Sequence, residues 1–143
     1  MDLVIRNAIN DSDGAPIEVG IRDGLIAAVA PGGLPPGDQE IDAAGGMLSP
    51  ALVETHFHLE NALIWDGALN HSGTLEEAIE VYAAIKHDMP IDDIVRRASL
   101  ALRLAIGHGV QWFRSHVDID RVGQLRLLAG NVAVRERFRD VID

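Results

Sequence analysis

Leu52-Val53-Glu54-Thr55-His56-Phe57-His58 is the stretch on which the reading of this chain turns. It follows Ser49-Pro50-Ala51 and runs out through Leu59-Glu60 into a long loop reaching about Gly73. Leu52 to Phe57 reads as a buried strand, short and apolar, with histidines at its end. On a strand, residues two apart point to the same side, roughly 6–7 Å apart at Cα. His56 and His58 can therefore converge on one metal ion, while Phe57 points the other way into packing. A strand end opening into a loop is also where α/β barrels gather their active-site groups. A bare H-x-H is common by chance, so its surroundings must carry the argument.

Upstream, residues 1–48 read as short strands in a small, sandwich-like β domain. Leu3-Val4-Ile5 opens one strand, and Ile17 to Ile21 alternates apolar with polar or small residues. Asp23-Gly24 is a two-residue hairpin signal, with Leu25 to Ala30 as the returning strand. Pro31 to Gly37 holds three prolines and three glycines and must be a loop. Ile41 to Gly46 leads into the next strand.

Downstream, residues 49–143 read as two βα units. Thr74 followed by Glu77 has the reciprocal N-terminal cap pattern, and Leu75, Ala78, Ile79 and Tyr82 fall on one helical face. Pro90 breaks that helix. A second runs from about Asp92 to Ile106, with Ile94, Val95, Ala98, Ala101, Leu102 and Ala105 inward, and Gly107-His108-Gly109 ends it. Val110 to Val117 is a strand, and about Val122 to Phe138 a third helix. Strand, helix, helix, strand, helix implies a parallel α/β sheet. Asp140-Val141-Ile142-Asp143 looks like the start of a further strand.

Composition narrows the function. The chain has 143 residues, a net charge of −10 and no cysteine. An acidic surface repels polyanions, which argues against nucleic-acid and anionic-membrane partners. Lack of cysteine excludes disulfides, thiolate metal sites and the deaminase design that holds zinc with one His and two Cys. No run of about 18 apolar residues exists to span a membrane, and Met1 to Arg6 lacks a signal-peptide pattern. Cytoplasm is the expected location, and a small, roughly neutral molecule the expected partner.

Three segments together, Ser49 to Leu59, Asn70-His71-Ser72-Gly73-Thr74-Leu75 and Arg114-Ser115-His116-Val117-Asp118, resemble the cytosine deaminase branch of the amidohydrolase superfamily in order and spacing. The resemblance covers the N-terminal third or so of such proteins. It implies a (β/α)₈ TIM barrel carrying a small β domain, with the barrel incomplete in this chain. It implies that His56 and His58 bind one divalent metal, Zn²⁺ or Fe²⁺, for hydrolytic deamination of a cytosine-like ring. An N-alkylamino triazine or other cyclic amidine is the alternative substrate, and a non-catalytic truncated remnant the rival of another class. Further ligands, the proton shuttle and the catalytic residues would lie beyond residue 143, leaving this chain inactive alone. The full-length form would be a homo-oligomer.

Glu60 stands where dihydroorotase-like relatives carry Arg and the cytosine deaminase branch usually carries Asp, and Asn61 departs from the usual Lys or Thr. Leu75 matches a position that lines the family's substrate pocket, or else is an ordinary core leucine. Arg114, His116 and Asp118 share one side of their strand, either as a polar second shell around the metal or as a local ion-pair network. Trp65-Asp66 either closes the pocket or packs on the surface. His71, His87 and His108 are expected to face solvent.

Overall fold

A computed structural model describes residues 1–64 and 70–143, which form two compact units, Met1–Pro50 and Ala51–Asp143. In the first unit, β1 (Leu3–Asn10), β2 (Pro16–Arg22), β3 (Leu25–Ala30) and β4 (Gln39–Asp42) lie in the order β3-β2-β1-β4, and β5 (Met47–Leu48) also pairs with β1. The strands make one five-stranded sheet. β2 is antiparallel to β1 and β3, whereas β4 and β5 run parallel to β1. The β2–β3 turn works because Asp23 and Gly24 both accept positive φ, 53° and 74°. Val4, Ala8 and Val19 are the buried apolar side chains of the sheet. The Arg6 guanidinium, held by Glu40 at 2.9 and 2.7 Å and by Glu18 at 3.1 Å, ties β1 to its neighbours on both sides.

The second unit opens with β6 (Leu52–Phe57), followed by a 3₁₀ turn (Leu59–Asn61), α1 (Leu75–His87), α2 (Ile91–Gly107), β7 (Val110–Ser115) and α3 (Arg126–Phe138). β6 and β7 are parallel, as the helical crossover between them requires. One face of the pair is covered. There Phe57 and Phe113 meet edge to face at 5.3 Å and pack with Leu59, Ala98, Leu102, Val134 and Phe138 from the turn, α2 and α3. A second cluster, Met89, Ile94 and Leu127, joins α2 to α3 with Tyr82 and Ile85 of α1 against it. Parts of the pair stay open: the cross-strand partners Val53 and Trp112 are 58% and 45% exposed, and Leu52 is 54% exposed. At the far edge of β7, Phe113 N–H donates to the Asp143 carbonyl (2.7 Å) and Asp143 N–H to that of Gln111 (3.2 Å). That alternation is how a further parallel strand would pair.

Two local readings need correction. Thr74 Oγ1 does accept from Glu77 N–H (3.3 Å), but the Glu77 carboxylate does not reach back to Thr74. It accepts instead from the amides of His71 and Ser72, because the loop folds over the helix start and brings those donors closer. The third helix begins at Arg126, not Val122. Asp120 Oδ1 takes the amides of Val122 and Gly123 (2.9 and 2.7 Å) and Gln124 turns to φ 51°, so the backbone there cannot be helical. Arg126 then closes α1 by donating to the carbonyls of Lys86 and His87 (2.7 and 2.8 Å), two of the acceptors a helix end leaves open.

The α2–α3 contact depends on a missing side chain. A Cβ on Gly130 would lie 2.5 Å from Ile94 Cγ2 and 3.0 Å from Ile94 Cβ, and Ile94 is fully buried. A Cβ–Cβ clash cannot be relieved by rotation. Gly130→Ala should therefore lose about 1–3 kcal/mol to overpacking, less the roughly 0.5–1 kcal/mol that alanine gains in a helix. A lower urea midpoint is expected; a raised one would mean the helices separate freely. Among the described residues no helix is long and apolar enough to cross a membrane.

Candidate metal centre

The pleat of β6 sends Phe57 into the core and leaves His56 and His58 on the opposite, open side. β6 also carries one residue more than β7 between the pairs Glu54–Phe113 and Phe57–Ser115. Glu54 Oε1 takes up the His56 amide at this irregularity, 2.9 Å away. Bulges of this kind re-aim side chains beside active sites. The two imidazole centroids stand 5.6 Å apart, inclined by 46°. A ring nitrogen at about 2.0–2.1 Å from an ion puts its centroid roughly 3.2 Å away, so two rings sharing one ion tetrahedrally sit roughly 5 Å apart. The observed centroid separation is close to that value.

A third imidazole joins them from the next strand. His116 N–H donates to the Phe57 carbonyl at 2.7 Å, which locks the two strand ends together. Its ring stacks on His56 at 4.1 Å and lies 5.9 Å from His58. Beneath the rings is a polar knot. Glu60 is completely buried; its Oε1 is 2.9 Å from His58 Nδ1 and accepts from Asp118 N–H (3.1 Å), and its Oε2 accepts from Asn131 Nδ2 (3.0 Å). Asp118 Oδ1 lies 3.8 Å from the same His58 nitrogen. Donor atoms of His58, Glu60 and Asp118 all fall within 4.8 Å of one another. Ser115 Oγ accepts from Leu59 N–H (3.3 Å) and bonds the His116 carbonyl (3.1 Å), completing the link between the strand ends.

The turn that carries Glu60 is anchored from α2. Arg97, 4% exposed, donates to the backbone carbonyls of Glu60 (3.0 Å) and Ala62, and its Nε pairs with Asp93 at 2.7 Å. The guanidinium holds the Asp93 carboxyl below the usual carboxylate range. Nearby, burial pushes the Tyr82 phenol above its ordinary value, and the Glu60 and Asp118 carboxylates push it further. Tyr82 is therefore a neutral phenol at any physiological pH.

The other sequence candidates scatter. Arg114 is exposed on β7 and forms no ion pair among the described residues. Leu75, at the first position of α1, is 71% exposed and belongs neither to the core nor to the histidine cluster. His71, His87 and His108 are exposed. Trp65 and Asp66 lie outside the described residues. Sequence reasoning weighed Glu60 only as a marker of the substrate branch, and it passed over Asn131. A signal for Asn131 existed: an amide four residues after Leu127 and three before Val134, on the flank of the buried stripe of α3.

No family model matches the chain. It is 24% identical over 151 residues to N-isopropylammelide isopropyl amidohydrolase of Pseudomonas sp. strain ADP, an alignment covering 99% of this chain and 36% of that protein. Among solved structures, 5-methylcytosine deaminase from Klebsiella pneumoniae, liganded with 5-fluorocytosine, superposes with a TM-score of 0.84 at 30% identity, over 98% of this chain and 34% of that one. Sequence and fold are thus similar to the opening part of amidohydrolases of the cytosine deaminase-like type. A second structure of that superfamily type, N-isopropylammelide isopropylaminohydrolase from Burkholderia multivorans, matches at TM-score 0.75 and 28% identity over 99% of this chain and 35% of that one. The chain thus spans about a third of the length of the relatives it matches. Its fold is the opening of the α/β amidohydrolase fold, a small β domain and then an incomplete barrel.

Proposed function

We propose that the chain is the N-terminal part of a metal-dependent amidohydrolase that hydrolyses an exocyclic amine from a cytosine-like ring. The observation that carries this reading is the meeting of His56, His58 and His116 at the C-terminal ends of two parallel strands, the end at which barrel enzymes place their chemistry. His56 and His58 would hold a Zn²⁺ or Fe²⁺ ion, since both metals accept imidazole and carboxylate ligands. When bound, such an ion supplies the Lewis acidity that makes water a nucleophile near neutral pH. His116 stacks on the His56 ring, and its backbone N–H is committed to the Phe57 carbonyl. The acidic chain favours a neutral ring over a polyanion. Remaining ligands and the groups that shuttle protons and read the ring belong to later barrel strands.

A second reading, hydrolysis of an N-alkylamino group on a triazine, rests on the alignment of two N-isopropylammelide enzymes with nearly the whole chain. The test is to express the gene with whatever follows Asp143 in frame, load the product with Zn²⁺ or Fe²⁺, and measure amine release. Ammonia from cytosine or 5-methylcytosine is the expected result. Isopropylamine from N-isopropylammelide would select the second reading, and turnover of neither would overturn both.

A further inference from the structure

We propose that Glu60 is a positioning residue of the metal centre, acting through His58 rather than binding the ion itself. This rests on the metal reading above and adds a residue to it. A carboxylate with no solvent exposure costs several kcal/mol unless its charge is answered, so its partners define its purpose. Both oxygens are already committed, Oε1 to His58 Nδ1 and the Asp118 amide, Oε2 to Asn131 Nδ2. A cation seeking Glu60 would have to break these bonds and reach an atom that water does not reach. The His58 atom facing both carboxylates is Nδ1. With Nδ1–H donated to Glu60, the lone pair of His58 sits on Nε2, the only ring nitrogen left for an ion. The carboxylate thus selects the tautomer, fixes the ring plane and makes Nε2 more basic. Binding a cation at Nε2 in turn offsets the buried negative charge through the ring.

The knot also explains why the residue is held from three directions. The Asp118 amide follows β7, Asn131 lies on α3, and Arg97 on α2 grips the Glu60 carbonyl at 3.0 Å. The first two fix the carboxylate, and Arg97 fixes the backbone that carries it. Asp118, with 40% of its side chain exposed and 3.8 Å from Nδ1, is too far for a hydrogen bond and adds only charge.

Two measurements on the 143-residue chain test this. In the unmodified, metal-free protein, ¹⁵N-edited NMR at pH 8, where an ordinary imidazole is neutral, should show His58 as the Nδ1–H tautomer; an Nε2–H tautomer would overturn the assignment. Zn²⁺ titration should show Glu60→Gln binding about 10–100-fold more weakly with its far-UV spectrum unchanged; unaltered affinity would also overturn it. Complete loss of binding in Glu60→Gln, with binding kept in His58→Ala, would make Glu60 the ligand and contradict the proposal. Should the unmodified chain bind no zinc, the metal reading fails by itself, and the tautomer still decides the role of Glu60. The tautomer likewise decides if Glu60→Gln does not fold.

Discussion

The His58→Ala chain should bind Zn²⁺ at least about 100-fold more weakly than the unchanged chain, and His56→Ala should lose as much, because each removes one of the few first contacts an open site possesses. His56 is exposed on β6, so its loss leaves the core of Phe57 and Leu59 in place, whereas losing His58 also takes the imidazole partner from the buried Glu60 carboxylate, and the far-UV spectrum of that variant is read beside its affinity. His116→Ala gives the contrast. Its ring touches His56 by stacking at 4.1 Å, and losing an aromatic contact of that kind costs about 2–10-fold. Isothermal titration of the three variants separates the roles. Equal losses in all three would promote His116 to a ligand, and no loss in His56→Ala or His58→Ala would end the metal assignment.

Arg97→Leu is expected to destabilise the second unit by about 3–5 kcal/mol, a large share of the 5–15 kcal/mol that holds a domain of ordinary stability. The substitution strands two buried carbonyls, those of Glu60 and Ala62, and removes the partner of Asp93. Each stranded acceptor costs about 1–3 kcal/mol. The ion pair itself counts for less, since the Asp93 side chain is 34% exposed and screened. Its pH signature is nonetheless distinctive. Arg97 lowers the Asp93 carboxyl in the folded state, so the pair stabilises above the unfolded carboxylate value, about 3.9, and that support is lost as pH falls through the lower folded value. The variant should start lower at pH 7 and show a shallower acid decline. Urea melts at pH 7 and pH 3 read both effects; identical midpoints for the two proteins at pH 7 would refute the anchoring role.

Local chemistry was legible where the chain decides its own shape. Asp23-Gly24 made its hairpin, Thr74 capped its helix, and Ile94, Ala98 and Leu102 face inward at 0%, 0% and 4% exposure. His56 lies in β6 and His58 just past its end, and their rings come to 5.6 Å of each other. Distant pairings were not legible. β4 and β5 join β1 in parallel across more than thirty residues, and no turn signal announces such a register. Neither was the burial of Glu60 visible, because acidic residues are almost never fully buried unless paired and two of its three partners stand 58 and 71 residues away. Leu75 and Ile79 show the opposite failure. Their helical spacing promised an inward face, yet they are 71% and 59% exposed, and of that face it is Tyr82 that packs against the buried cluster.

X-ray absorption on the Zn²⁺-loaded chain tests the central claim most directly, because the outer-shell scattering of imidazole counts histidine ligands without any substitution. At least two imidazoles at about 2.0–2.1 Å are expected. A first shell of oxygen alone, with no histidine scattering, would contradict the account.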